Sequence, residues 1–381
     1  MDQPAISIVI PNLNRREQLR DTLGRLTSLN ELAKQIIVVD NGSTDGADTL
    51  VEEQFAQVEL IRLKQNIGAA ARNIGLQRAK APITLMLDND SYPAEGTLSR
   101  IHEAFRDDRY LGVLACRIRL LNERHESGGL PGVFVGCGAA MRTELAQSLG
   151  GYPEDFGYYV EEYDLACRVW QSGFQVRWCY DALVYHAKSP TERNMNRILY
   201  FLTRNNLRLW HRYSPLECRH AMLKETVRRY GVISRLERAR WGYIKGLVAG
   251  MRDIVTTYRR RTELTQDQFD AVYGMATVRN KLQAAARSGI RIAAIFGWGK
   301  GLEQIIAAAN EAGIEPHAII PDRPLPLKCF TGVAVKGEFD PSRHDGAILI
   351  GSLSPGVAID MESEANKRWP AANVVRLTEF A

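Results

Sequence analysis

ITLMLDNDSYP, residues 83–93, runs from apolar residues into two carboxylates one residue apart, Asp88 and Asp90. The apolar part lacks polar alternation, which predicts a strand covered on both faces. Its acidic tip has an ordinary reading as a turn, where Asp and Asn are common. It also has a chemical reading. Carboxylates at i and i+2 face one ion if the chain bends between them, and oxygen donors suit Mg²⁺ or Mn²⁺ held jointly with substrate phosphates.

The flanking sequence supplies a context for that strand. ISIVIP (6–11), QIIVVD (35–40) and VELIRL (58–63) read as three further strands, and residues 17–29, 48–55 and 69–79 as helices between them. Such alternation predicts an α/β fold with a mostly parallel sheet flanked by helices, and ligands bind beyond the carboxyl ends of strands in such sheets. Those ends carry Asn12 and Asn14, Asp40 and Asn41, then Asp88 and Asp90. A glycine-rich loop, ESGGLPG (126–132), follows. Next come an apolar piece (VFVGCGAAM), a helix from Thr143, the acidic GGYPEDFGYYVEEYDLACR, and FQVRWCYDALVYH, which reads as two short strands.

The bulk numbers narrow the class. The 381 residues are 45% hydrophobic and 24% charged, which suits two or three globular domains. No uncharged apolar run is long enough to span a bilayer, and the N-terminus reads as a strand rather than a signal peptide. Six scattered cysteines without a Cys-x-x-Cys pair read as reduced core thiols of a cytosolic protein. The net charge of +5 is unevenly spread: residues 212–261 hold thirteen Lys/Arg against four Asp/Glu. A local surplus of that kind marks a surface with a task.

In that order, SIVIPNLNRREQLRDTL, IIVVDNGSTDGA, NIGAAARNIGL and LMLDND resemble family 2 glycosyltransferases, nucleotide-sugar-dependent enzymes of the GT-A fold. GCGAAMRTE, the acidic stretch and a strand ending in His186 extend the likeness over residues 6–213. The set is similar in particular to the non-processive, rhamnosyltransferase-like branch that builds bacterial surface polysaccharides; the Gln-x-x-Arg-Trp signature of processive synthases is absent.

The resemblance implies a donor site for a UDP- or dTDP-sugar. Pro11 and Asn12 would line it, Asp40 would accept from the base, Asn66 and Gly68 would admit the nucleotide, and Arg72 would sit near base or phosphates. Asp88 and Asp90 would be the family's D-x-D, with His186 completing a Mn²⁺ or Mg²⁺ site and Asp88 also touching ribose. The family's base is usually the Asp of a Glu-Asp pair. Here the pair reads Glu161-Glu162, so Glu162 is the aligned base, with Glu161 kept as the alternative. An inverting displacement on a glycan or lipid-linked acceptor hydroxyl follows from that arrangement. Asp164 lies a turn beyond Glu161 and reads as orienting Arg168.

The basic run, residues 213–288, contains RRYGVISRLERARWGYIKGLVAGMRDIVTTYRRR, whose spacing gives an apolar stripe beside a basic face. An anionic membrane surface on the cytoplasmic side and simple packing on the catalytic domain are both open for it. Nucleic acid is not expected as a partner, and a second copy of the chain stays open. Residues 289–381 restart a strand–glycine turn–helix pattern with Gly297, Gly299, Gly301 and, ending the next strand, Asp322. This resembles a small Rossmann-like domain, either a nucleotide site or a scaffold. The expected organisation is therefore a GT-A domain (1–212), a basic helical segment (213–288) and a Rossmann-like domain (289–381). Two other classes compete with the transferase: a catalytically degenerate nucleotide-sugar-binding or scaffold protein, and a sugar-nucleotide pyrophosphorylase-like enzyme. PNLNRREQL lacks the glycine-rich phosphate loop that the latter needs after its first strand.

Overall fold

The computed structural model describes residues 4–126, 128–188, 194–256, 261–338, 340 and 346–380. Ser127 of the glycine-rich loop, Pro190, residues 257–260 of the basic run and Asp345 lie outside the described residues.

The N-terminal part alternates as β1 (Ile6–Asn12), α1 (Arg16–Ser28), β2 (Lys34–Asp40), α2 (Ala47–Gln54), β3 (Glu59–Arg62), α3 (Ala71–Arg78) and β4 (Ile83–Met86). It continues through β5 (Ser91–Pro93), α4 (Thr97–Asp107), β6 (Leu111–Leu120), β7 (Ala139–Arg142), α5 (Thr143–Ser148), α6 (Glu161–Gln171) and β8 (Gln175–His186). These strands form one sheet in the order β3-β2-β1-β4-β7-β6-β8-β5. β1, β2, β3 and β4 pair in parallel, and β7 enters antiparallel between β4 and β6. Side chains alternate faces along a strand. Ile6, Ile8 and Ile10 of β1 pack with Leu19, Leu23 and Leu26 of α1, while Val9 packs on the opposite face with Ala71 and Leu76 of α3. Both faces are covered, so the strands carry no polar alternation.

Two features depart from the sequence reading. α4 and β6 were not assigned, although Leu98, Ile101 and Phe105 are buried on α4 at helical spacing. FQVRWCYDALVYH forms one strand, β8, rather than two. Its pairing with β6 jumps from Cys116–Cys179 to Arg117–Leu183, so residues 180–182 bulge out while the chain stays extended.

The tip of β4 is shaped by its own turn. The Asp88 N–H donates to Ser91 Oγ at 2.9 Å, and the Ser91 N–H donates to the Asp88 carbonyl at 3.1 Å. The chain then returns as β5, antiparallel to the end of β8, with Ser91 opposite His186. A ladder register thus delivers a histidine to the acidic tip.

Among the described residues five helices follow: α7 (Met195–Tyr213), α8 (Leu216–Leu236), α9 (Arg240–Thr256), α10 (Gln266–Tyr273) and α11 (Met275–Arg287). The most basic part of the run lies on α8 and α9, with Arg238 at φ 52° in the turn between them. α9 presses its glycine face against α7. A Cβ at Gly246 would lie 2.6 Å from the Tyr200 carbonyl oxygen and one at Gly250 2.7 Å from Leu207 Cδ1, while one at Gly242 would collide with the Asn196 carbonyl. Its apolar residues therefore face outward: Trp241 is 65% exposed, Val248 65% and Val255 75%, with Ile244 and Met251 on the same stripe. Among the described residues no helix is long and apolar enough to cross a membrane.

The C-terminal part comprises β9 (Ile292–Phe296), α12 (Leu302–Glu311), β10 (Glu315–Ile320), β11 (Cys329–Phe330), β12 (Val333–Val335), β13 (Ala347–Ile350), α13 (Pro355–Arg368) and β14 (Asn373–Val375). Its sheet order is β11-β12-β10-β9-β13-β14, parallel except for the β11–β12 pair, a small Rossmann-like arrangement. The expected glycine turn after β9 is present but filled by the chain itself. A Cβ at Gly299 would lie 2.6 Å from Ser352 Oγ and 2.7 Å from the Gly351 carbonyl.

Candidate functional site

A cavity of about 860 Å³ opens beyond the carboxyl ends of β1 and β4. That volume suits a ligand of nucleotide size. Its walls include Pro11, Asn12, Gly68, Arg72, Asp88, Asp90, Glu161, Glu162 and His186, which the sequence reading had singled out.

The acidic corner is closely knit. His186 Nε2 lies 3.0 Å from Asp90 Oδ1 and 3.9 Å from Asp88 Oδ2. On its other side, His186 Nδ1 donates to Glu126 Oε2 at 2.5 Å. Lys188 Nζ donates to the other Glu126 oxygen, also at 2.5 Å. Burial alone would lower the histidine's pKa, but bonds to Asp90 and Glu126, with Asp88 nearby, push it up to about 10. The same imidazolium and Lys188 hold the buried Glu126 down at about 2. Cys137 joins this corner: its sulfur, an Asp88 oxygen and a His186 nitrogen all lie within 4.8 Å of one another. Burial pushes the thiol well up, so it stays protonated and is no ligand for a hard cation. Asp88 and the imidazole suit such an ion in chemistry; Asp90, 3.0 Å from His186 Nε2, lies outside the group whose ligand atoms are all within 4.8 Å of one another. A carboxylate on the far histidine nitrogen is the usual orienting partner of a metal-bound imidazole.

Arg72 links this corner to the acidic helix. Its Nη2 donates to Asp88 Oδ1 at 2.8 Å, and Nη1 lies 3.8 Å from Glu161 Oε1. Burial opposes the charge of Arg72, but Asp88, Glu161 and Glu162 keep the guanidinium protonated. Glu162 Oε1 accepts from the Gly136 N–H at 3.2 Å. Burial pushes both glutamates upward; Glu162 adds to the rise of Glu161, and Arg72 opposes both shifts.

The pair sits at the start of α6 because two residues before it are twisted. Tyr159 and Val160 take φ of 66° and 73°. Such values are uncommon for any non-glycine residue, and for a β-branched one they are a marked outlier. Asn205 of α7 holds them there. Its Nδ2 donates to the carbonyls of Phe156, Tyr158 and Tyr159 at 3.0, 2.9 and 2.7 Å. Asp164 turns away from the cavity and accepts from Arg168, Arg212 and Tyr213 at 2.8, 2.8 and 2.9 Å.

Two predicted donor residues, the buried Asp40 and the exposed Asn66, are not among the residues lining the cavity. Asp40 is buried; Oδ1 accepts from Asn12 Nδ2 at 3.3 Å and Oδ2 from the Ser43 N–H at 3.1 Å. Asn66 accepts from Asn41 at 3.0 Å and from the Tyr158 hydroxyl at 3.1 Å, and Asn41 in turn is the wall residue. Both carboxylate oxygens of Asp40 and the carbonyl oxygen of Asn66 are thus engaged in shaping loops. Asn12 also takes a bond from Asn89, between the two tip carboxylates, at 2.8 Å.

The sequence reading missed Glu126, Lys188, Gly136 and Lys300, all near or in this cavity. Glu126 opens the glycine-rich ESGGLPG stretch, and a carboxylate there was the one available signal. Lys300 comes from the C-terminal part, with no sequence link to the site.

A curled α/β sheet with carboxylates and a histidine converging at its carboxyl edge defines a GT-A fold. Residues 7–147 match the model of Glycosyl transferase family 2. A candidate teichuronic acid biosynthesis glycosyltransferase of Bacillus subtilis (strain 168) is 30% identical over 92 residues, which is 23% of this chain and 36% of that protein. An uncharacterized glycosyltransferase of Haemophilus influenzae is 35% identical over 106 residues, 26% of this chain and 42% of that one. S. aureus TarS 1-349, solved in complex with UDP-GlcNAc, shares the fold with a TM-score of 0.51 at 17% identity, covering 88% of this chain and 99% of that chain. The match to the family model ends at residue 147, and the matched part of the chain spans 36% and 42% of those two curated relatives.

Proposed function

We propose that this chain transfers a sugar from a nucleotide-sugar donor to an acceptor hydroxyl in one inverting step, aided by a divalent cation. The observation that carries the reading is that Asp88, Asp90, His186 and Glu162 all line one cavity, with His186 Nε2 3.0 Å from Asp90. UDP-GlcNAc bound to TarS, and the teichuronic acid biosynthesis in the name of the Bacillus relative, make a UDP- or related sugar and a polysaccharide acceptor the first to try.

Asp88, Asp90 and His186 would hold Mn²⁺ or Mg²⁺, which when bound would neutralise the charge of the departing diphosphate. Glu126 keeps His186 turned so that Nε2 faces the carboxylates. Arg72 fixes Asp88 and offers a cation to the phosphates. Asn12, Pro11, Asn41 and Gly68 form the nucleoside end of the cavity. Glu162, anchored by the Gly136 N–H, takes the proton of the attacking hydroxyl; its raised pKa brings it closer to working pH, as a general base needs. Glu161 faces Arg72 and sets its position.

The outward apolar stripe of α9, flanked by Arg240, Lys245 and Arg252, fits an anionic membrane on the cytoplasmic side, next to a lipid-linked acceptor. Helix α7 connects the two sites: α9 packs on it, while its Met195, Ile198 and Leu202 line the catalytic cavity.

The test is turnover of a panel of UDP-, dTDP- and GDP-sugars with and without Mn²⁺, comparing wild type with Asp90→Ala and Glu162→Gln. Full activity of Asp90→Ala without metal would overturn the reading. Tight nucleotide binding with no turnover under any condition would favour a degenerate binding protein.

A further inference from the structure

The loop between β6 and β7 supplies both halves of the catalytic cavity: Glu126 for His186, and the Gly136 N–H for Glu162. What holds this loop comes from the C-terminal domain. The His125 N–H donates to Asp360 Oδ2 at 2.9 Å, and His125 Nδ1 donates to Asp360 Oδ1 at 2.7 Å. One turn earlier on α13, a Cβ at Gly356 would come within 2.7 Å of His125 Cβ, so the helix seats directly on the loop. Two residues beyond Glu126, Lys300 donates to the Gly128 carbonyl and, at 2.7 Å, to the Tyr163 hydroxyl. Tyr163 follows Glu162 and donates to the same carbonyl at 2.8 Å. Glu126 is therefore bracketed on both sides by contacts from the second domain.

The cleft in that domain where an open sheet would bind a ligand is used for this purpose. At the switch between β9 and β13, Arg229 of α8 donates to the Gly299 carbonyl at 2.8 Å and lies 5.0 Å over the Trp298 ring. Lys300, next in the chain, faces the catalytic cavity. Burial, with Arg229 beside it, lowers the Lys300 ammonium to about 8, and Glu162 and Glu225 oppose the fall. A lysine kept in such surroundings needs compensating bonds, and it makes them to the loop and to Tyr163.

We propose that the C-terminal domain clamps the catalytic loop, with Asp360 and Lys300 as positioning residues that hold Glu126 against His186 and so set the affinity of the acidic corner for a divalent cation. The second half of this statement rests on the cation reading given above; the first half does not. A carboxylate behind a metal-bound histidine contributes typically about 10–100-fold to metal affinity. Loosening its support without removing it is expected to forfeit less than that full effect.

The experiment compares the full chain with Asp360→Ala, Lys300→Met and the double variant, with Glu364→Gln, an exposed residue on α13, as control. Hydrogen–deuterium exchange is measured without metal, and Mn²⁺ affinity by electron paramagnetic resonance with Mn²⁺ alone. Exchange of residues 124–136 is expected to quicken in each clamp variant while that of residues 6–12 stays unchanged. The Mn²⁺ dissociation constant should rise by about 3–10-fold. Glu364→Gln should match wild type in both. Unaltered exchange in the double variant would overturn the clamp. Quickened exchange with unchanged Mn²⁺ affinity would reduce it to a structural contact and overturn its link to the site. A wild-type chain that binds no Mn²⁺ would overturn the cation reading, and with it the second half, while the exchange data still decide the first.

Discussion

His186 Nδ1 lies 2.5 Å from Glu126 Oε2, across sixty residues of chain, and this bond fixes which imidazole nitrogen faces Asp88 and Asp90. The histidine's pKa is raised to about 10 and the glutamate's lowered to about 2. The sign follows for the metal-free protein. Stability from the histidine is fully present below its unfolded value of 6.5 and is lost as pH rises through about 10. Stability from the glutamate is present above 4.5 and is lost as pH falls through about 2. Glu126→Gln should therefore melt several degrees below wild type between pH 4.5 and 6.5, with the gap closing toward pH 10. A gap that stays constant from pH 5 to 10 in thermal melts would contradict the pairing.

Glu161 carries a penalty rather than a bond. Burial and the neighbouring Glu162 push it up to about 8, and among the described residues its Oε2 has no hydrogen-bond partner. The folded protein then holds the proton more tightly than the unfolded one, and stability falls as pH rises from 4.5 to about 8. Glu161→Gln should match wild type near pH 4 and melt higher than wild type above pH 8 in calorimetric scans. Wild type melting higher at pH 8.5 would reverse the sign and refute the assignment.

Glu162→Gln keeps the size of the side chain but removes the base. Turnover with the best donor–acceptor pair should drop by about 10²–10⁴-fold, with nucleotide affinity within about twofold of wild type. Equal losses for Glu161→Gln and Glu162→Gln would leave the two roles unassigned to separate residues.

Asn205→Leu removes a donor to the carbonyls of Phe156, Tyr158 and Tyr159, of which Phe156 keeps Arg204 Nη2 at 2.7 Å, and weakens the hold on the left-handed backbone of Tyr159 and Val160. The loss should be about 2–4 kcal/mol, from unpaired buried acceptors and released strain geometry, read by denaturant unfolding. Activity should fall as well, because the same turn aims Glu161 and Glu162.

On α9, Trp241→Glu with Val248→Glu should abolish sedimentation with vesicles containing anionic lipid while leaving thermal stability within about 0.5 kcal/mol, since both residues face solvent. A switch in oligomeric state instead, seen by light scattering, would identify the stripe as a contact between copies of the chain.

The local pattern was enough for the layered sheet and for singling out nine residues that line the cavity. Apolar runs ending in Asn12, Asp40 and Asp88 fix where strands stop, because a buried strand cannot continue through unpaired polar groups. The Asp-x-Asp tip and the acidic start of α6 are contiguous motifs, so they were legible as they stand. The long-range partners were not. Glu126 meets His186, and Lys300 meets Gly128 and Tyr163, only because strand register and domain packing bring distant segments together. Asp40 and Asn66 have the right composition for a ligand, yet both carboxylate oxygens of Asp40 and the carbonyl oxygen of Asn66 are engaged by neighbouring loops, which spacing alone does not reveal. The outward turn of α9 has the same origin. Its sequence defines an apolar stripe and a glycine stripe, but steric fit against α7 chose the glycines for the inside. Periodicity sets which residues share a face; only close packing decides which face is buried.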